Sequence, residues 1–391
     1  MRVLHVISTL EPGVAAGQLR LLVRRMPYDC EIVTLGAAVP FGAPVHRIPS
    51  GRDHDPGAVR RLRRLMLGGR YDLVHTHLRR ACVQGRIAAR LAGVPHIVAT
   101  EYHRGDSSSA LYRVSERLGQ VTIVGSPVVA EQLRSRGVPE CRIATIPQAV
   151  DPAELRFDPI LRAAARARLG IDPAQPVIGS VGRLVPDKRF DLLIRAIAEV
   201  PDAMLLLAGD GPARADLERL AEIEGVAGRV RFAGPVDHPR ETLCAIDVFA
   251  SPGQSTFGLA TLEAAAAGLP AVYGSCVPLE ARAAARAPVP GTQRLSQDRE
   301  SLPRALRAEM LCLAERRGAR LPARSAGERY DADHLADTVR RLYERVSTRP
   351  ARRRVIGPLL GRLGRPGRSG HAGGPGRTNS FPLPGGSVRN A

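Results

Sequence analysis

Tryptophan is absent, lysine occurs once, and no apolar stretch approaches the ~18 residues that a membrane-crossing helix needs. Each shortage excludes something. The six cysteines (Cys30, Cys82, Cys141, Cys244, Cys276 and Cys312) make no C-x-x-C pair, which removes the usual spacing of a zinc ribbon or a disulfide-stapled small fold. All six are expected to be reduced packing residues. With aromatics at 4%, the cores must be filled by Leu, Val, Ile and Ala, which suits helices packed on parallel sheets. Met1 runs directly into VLHVI without the basic segment and cleavage site of a secretory leader, which predicts a cytoplasmic protein.

What is present sets the scale. A chain of 391 residues that is 44% apolar and 24% charged is long enough for two cores and too apolar to be a disordered scaffold. The net charge of +19 would suit a nucleic-acid binder, yet Lys188 is the only lysine and arginine supplies the other 56 basic residues. That skew reads as a GC-rich coding bias. Positions 349–391 hold nine arginines and no acid, leaving the rest at about +10. The basic residues come without interleaved aromatics or a nucleic-acid module, so no nucleic-acid partner is expected.

Short apolar runs alternate with helical periods, first at Val3 to Ile7, Glu31 to Leu35, Leu73 to His75, Ile97 to Thr100 and Val121 to Val124. Val83, Ile87 and Leu91 lie on one helix face before a stop at Gly93 and Pro95, completing a βαβ unit. After a Pro-interrupted, Ala/Arg-rich stretch the alternation restarts at Val177. The expected division is a first α/β domain at 1–158, a linker at 159–176, a second at 177–327, a terminal amphipathic helix at 328–347 and a disordered Arg/Gly/Pro-rich tail at 348–391.

In open parallel sheets ligands bind beyond the carboxyl ends of the strands, and three places there carry chemistry. In GRLVPDKRFDLLIRA, Gly182 lets backbone approach an anion, Arg183 offers a two-pronged donor set, and Lys188 adds a compact charge beside a helix start. Together these suit a diphosphate. In SPGQSTFGLATLEAAAAGLP, a loop leads into an Ala-rich helix whose only acid, Glu263, needs a hydroxyl or amide donor, such as a sugar or ribose diol. The third place holds His75, His77 and His103, which could do acid/base work. Gly13 and Gly17 follow the first strand but form no G-x-G-x-x-G, so the nicotinamide fingerprint is missing.

Taken in order, GRLVPDK, LLLAGDGPARADLERLA, RVRFAGPV and STFGLATLEAAAAGLPAV resemble the family 4 glycosyltransferases. VHTHLRRACVQGRIAARLAGVP looks like the bacterial members that build cell-surface or secreted glycans. The resemblance implies a GT-B fold, two Rossmann-like domains facing across a cleft, the first for the acceptor and the second for the donor. It further implies retaining transfer of a hexose-type sugar from a nucleotide-diphosphate sugar to a glycan or lipid-linked acceptor hydroxyl, with no metal and no cofactor. Arg183 and Lys188 would hold the diphosphate, Glu263 the ribose diol, and Gly182, Ser255, Phe257, Gly258, Leu259 and Gly13 would line the donor. His103 is expected to act in catalysis. Departures fall in the site: Ser255 stands where the family's first E-x7-E glutamate belongs, Tyr102 is nearest the usual histidine, and Arg189 replaces a common glycine. The alternative is a catalytically weakened nucleotide-sugar-binding partner protein; a sugar epimerase of the same fold is a third reading. Peripheral contact with an anionic membrane at the inner face of the plasma membrane is expected through Arg60, Arg61, Arg63, Arg64, Arg79 and Arg80.

Overall fold

The computed structural model describes residues 1–102, 110–236, 238–296, 298, 300–322 and 328–348. His103 and the tail from 349 onward lie outside the described residues. Seven parallel strands form the first sheet: β1 (Arg2–Ile7), β2 (Asp29–Thr34), β3 (Val45–Arg47), β4 (Leu73–His77), β5 (His96–Glu101), β6 (Val121–Val124) and β7 (Ile143–Thr145). Their order is 3-2-1-4-5-6-7. The second sheet contains β8 (Val177–Val181), β9 (Met204–Ala208), β10 (Val230–Gly234), β11 (Val248–Ser251), β12 (Ala271–Tyr273) and β13 (Thr292–Arg294), in the order 10-9-8-11-12-13. Both orders reverse beside the first strand of their sheet, between β1 and β4 and between β8 and β11. Such a reversal opens a crevice at the carboxyl edge. The architecture is GT-B.

Helices cover both faces, as buried parallel strands require. Those of the first sheet are α1 (Val14–Arg25), α2 (Pro56–Gly69), α3 (Arg79–Ala92), α4 (Ala110–Glu116) and α5 (Pro127–Ser135). Asp55 caps α2, its carboxylate accepting from Ala58 N–H at 3.0 Å, while Pro56 occupies the first turn. On α3, Val83 is buried but Leu91 is 45% exposed, so the four-residue repeat overstated the buried face by one turn.

The second sheet is flanked by α6 (Pro159–Leu169), α7 (Phe190–Ala198), α8 (Arg214–Ile223), α9 (Arg240–Ala245), α10 (Leu259–Ala266), α11 (Val277–Ala284) and α12 (Ser301–Glu315). The stretch 159–176, read as a linker, contains α6, whose Ala165 sits in one core with Val177 and Phe249. Its arginines explain why. Asp247, buried before β11, accepts from Arg162 at 2.7 Å, from Arg166 at 2.8 Å and from the Val177 amide at 2.8 Å. The last helix, α13 (Ala332–Ser347), returns to the first sheet, where Leu335, Val339 and Tyr343 pack with Val3 and Leu73.

Four cysteines are buried packing residues, whereas Cys141 and Cys312 are exposed, which corrects the expectation for those two. No helix of the described residues is long and apolar enough to cross a membrane. Asp247→Ala leaves two guanidinium groups without their carboxylate in the core. It is expected to lower stability by about 3–5 kcal/mol, measured as a shift in the urea unfolding midpoint.

Candidate functional site

The carboxyl edge of the second sheet is built from loops that touch through bare backbone. A β-carbon on Gly209 would lie 1.9 Å from the Gly182 carbonyl oxygen, and one on Gly211 would lie 2.3 Å from that of Leu184. Only glycine fits at such approaches. One loop further along, a β-carbon on Gly253 would lie 2.5 Å from the Lys188 carbonyl oxygen, and the Gln254 amide donates to the Asp187 carbonyl at 3.1 Å. The loop after β8 and the loop after β11 are therefore one structure. Lys188 and the segment that opens α10 are brought together by it.

Two cations at this edge make no ion pair or hydrogen bond among the described residues. Arg183 is exposed, and its guanidinium makes no ion pair or hydrogen bond among the described residues. Lys188 ends the short turn Pro186–Lys188; its ammonium is half-buried and likewise unpaired. Desolvation holds it below the ordinary lysine value, partly offset by Asp187. A half-buried ammonium with no ion pair or hydrogen bond, and only the exposed neighbouring Asp187 as counter-charge, can take a further anion. Arg189 follows in a left-handed conformation (φ 53°) that disfavours a side chain, and its guanidinium pairs with Asp191 at 3.1 Å. Glycine would relieve that strain.

The α10 loop is pinned from several sides. The Ser255 hydroxyl accepts from the Gly258 amide at 2.9 Å, the Ser255 amide donates to the Ser275 hydroxyl at 2.9 Å, and that hydroxyl donates to the Ser255 carbonyl at 3.0 Å. Ser255 is thus a staple within the loop. Gly258 caps α10 at φ 91° with its α-carbon face against Cys276, and the Phe257 ring is buried edge-on to Tyr330, so both hold the loop from below. Leu259 begins the helix. Glu263 is half-buried on α10, and its carboxyl has no hydrogen-bond partner among the described residues. Burial pushes it up to about 8.

In the first sheet the expected residues disperse. Gly13 sits at the start of α1 with no side-chain cap and open space where a β-carbon would stand. His75 and His77, expected after a strand, lie inside β4 and are 1% exposed, facing the interior with His5. Tyr102 also turns inward: its hydroxyl lies 3.1 Å from His77 Nδ1. Of the basic residues proposed to meet a membrane, Arg61, Arg63 and Arg80 donate to carbonyls of Pro49, Leu91 and Ser50, and Arg79 pairs with Asp53 at 2.9 Å. Arg60 and Arg64 are exposed on α2. Sequence reasoning missed Gly209, Gly211, Gly253, Gly274 and Ser275. Each of these glycines follows closely on a strand end, which was the available signal.

Comparison with known proteins gives two consecutive matches. Residues 15–154 match the family described as Glycosyltransferase Family 4, and residues 175–313 the one described as Glycosyl transferases group 1. The chain is 36% identical over 234 residues to the D-inositol 3-phosphate glycosyltransferase of Mycobacterium sp. (strain KMS), covering 52% of this chain and 51% of that protein. It is 45% identical over 108 residues to the lipopolysaccharide core biosynthesis glycosyltransferase LpsE of Rhizobium meliloti (strain 1021), 27% of this chain and 32% of that protein. The chain spans about half the length of the first of these relatives and a third of the second. In fold it is similar to Anabaena Alr3699/HepE, solved in complex with UDP and glucose, with a TM-score of 0.70 at 20% identity over 88% of this chain and 99% of that one.

The unpaired Glu263 carboxyl makes stability depend on pH. Its folded-state value lies above the unfolded one, so its contribution is complete below about pH 4.5 and is lost as pH rises toward about 8. Glu263→Gln removes this dependence. Relative to the parent chain, the variant's urea midpoint is expected to be higher near pH 8 than near pH 5.

Proposed function

Because the chain belongs to the family 4 glycosyltransferases, we propose that it moves a sugar from a nucleotide-diphosphate donor to an acceptor hydroxyl in glycan or cell-envelope biosynthesis. The observation that carries this is the Lys188 ammonium, without an ion pair or hydrogen bond among the described residues, on a backbone held against the loop before α10 by the Gly253 contact. A diphosphate supplies the charge that Lys188 lacks, and Arg183 adds a guanidinium able to grip two oxygens. As the sugar leaves, negative charge grows on the phosphate, and fixed cations stabilise that growth more than they stabilise the ground state. Two protein cations do what a divalent ion does elsewhere, so the reading includes neither metal nor cofactor. Glu263 takes the ribose diol, trading its unpartnered state for two hydroxyl donors. Gly182, Ser255, Phe257, Gly258 and Leu259 shape the donor side, and Gly13 meets it from the first domain.

The family resemblance supports retention at the anomeric carbon and a hexose-type sugar. The UDP and glucose bound to the Anabaena protein support a nucleotide-sugar donor. The acceptor is proposed to be a glycan or a lipid-linked hydroxyl, approached from the cytoplasmic face with Arg60 and Arg64 toward anionic headgroups. His103 is proposed as the catalytic histidine, since Tyr102 is committed to His77.

One observation favours a second reading. Ser255 is spent on stapling its own loop, so no carboxylate from that position reaches a sugar, as a catalytically weakened binding partner would show. The two readings separate by experiment. A panel of UDP-, GDP-, ADP- and dTDP-sugars is expected to yield at least one that raises the melting temperature. With that donor, Lys188→Ala is expected to lower turnover by roughly 100- to 1,000-fold while preserving the circular dichroism spectrum. Thermal stabilisation without donor hydrolysis or transfer would establish the partner reading, and Ser255→Glu would then be expected to restore turnover.

A further inference from the structure

Away from the donor loops, three imidazoles meet inside the first sheet. β1 and β4 are neighbours with His5 opposite His75 and Ile7 opposite His77, and strand alternation sets all three histidines on one face. Tyr343 of α13 closes over them, itself 0% exposed. One ring nitrogen from each histidine lies within 4.8 Å of the other two. The His5 Nδ1 to His77 Nε2 separation is 3.0 Å, and the ring centres of His75 and His77 are 4.0 Å apart.

We propose that His5, His75 and His77 form a structural site for one borderline divalent cation of the zinc or cobalt class. Zinc–imidazole bonds of about 2.0–2.1 Å place tetrahedral ligand nitrogens roughly 3.4 Å apart, so the His5–His77 pair needs to open only slightly. His75 holds two hydroxyls, Tyr343 at 2.6 Å on Nδ1 and Thr100 at 2.7 Å on Nε2; it releases one to ligate and keeps the other. His77 is already steadied by the Tyr102 hydroxyl on its outer nitrogen. Such outer hydroxyls orient ligating imidazoles.

Two further features agree. Burial disfavours the charged form of all three rings, His5 at about 3 and His75 and His77 well below the usual value, so ligation needs only the proton shared between His5 Nδ1 and His77 Nε2 to shift to an outer ring nitrogen. A small cavity bordered by His75, His77, Thr100 and Tyr102 lies beside the rings, where a water can complete four-coordination. An all-imidazole set suits zinc, cobalt, nickel or copper and disfavours magnesium and calcium. The site shares no residue with the donor loops.

The test uses the full chain, expressed with added zinc or refolded with cobalt after chelation. Expected are one ion per chain by elemental analysis, a raised melting temperature, visible bands of four-coordinate cobalt, and a zinc X-ray absorption spectrum dominated by imidazole nitrogen. Tyr102→Phe keeps all three ligands and is expected to weaken affinity by about 10- to 100-fold. Substoichiometric metal after desalting, or a sulfur first shell from exposed Cys141 and Cys312, overturns the proposal. So does full occupancy in a folded His5→Phe/His77→Leu variant; should that variant not fold, the absorption spectrum of the parent chain decides.

Discussion

Contact between bare backbones at the carboxyl edge of the second sheet is the constraint on which the candidate site depends. Gly182 meets Gly209, Leu184 meets Gly211, Lys188 meets Gly253, and Pro252 meets Gly274. At these separations no β-carbon is tolerated, so four strand-end loops lock into one surface with only the short hydroxyls of Ser255 and Ser275 added to the backbone contacts. The side chains that remain can face outward. That is why Arg183, Lys188 and Glu263 stand unpaired while their backbones are tightly held.

Preorganisation of this kind has an energetic logic. A cation already desolvated and fixed gains more from an incoming phosphate than a mobile surface arginine does, because less solvent and side-chain motion must be surrendered on binding. Asp247 shows the opposite solution. Its two guanidinium partners satisfy it from within, and it serves the core alone.

Much of this was legible in the sequence. The alternation of apolar runs and helical periods located the longer strands, and the glycine-ended GRLVPDK segment pointed to the edge where Lys188 lies. β3, β7 and β13 escaped notice because each has three residues, at most two of them apolar, too few for a period to register. His75 and His77 were misplaced because the apolar run stops at His75, although the strand continues through two polar residues whose hydrogen bonds are met inside the fold. Amphipathy identified α13 as a helix but carries no address, so its choice of the first sheet became visible only through Tyr343 and its neighbours. Nor does composition reveal that Ser255 bonds back to its own loop, a matter of rotamer rather than residue type.

The return of α13 bears on how the protein is made. Leu335, Val339, Leu342, Tyr343 and Val346 complete a core whose other members, Val3, Leu73 and Val98, are translated far earlier. During synthesis the leading half therefore emerges with one flank bare and stays so while the trailing half is assembled on the ribosome. Every strand of the second sheet is synthesised before α13, so the core around Val3 and Leu73 waits for a helix made after them all.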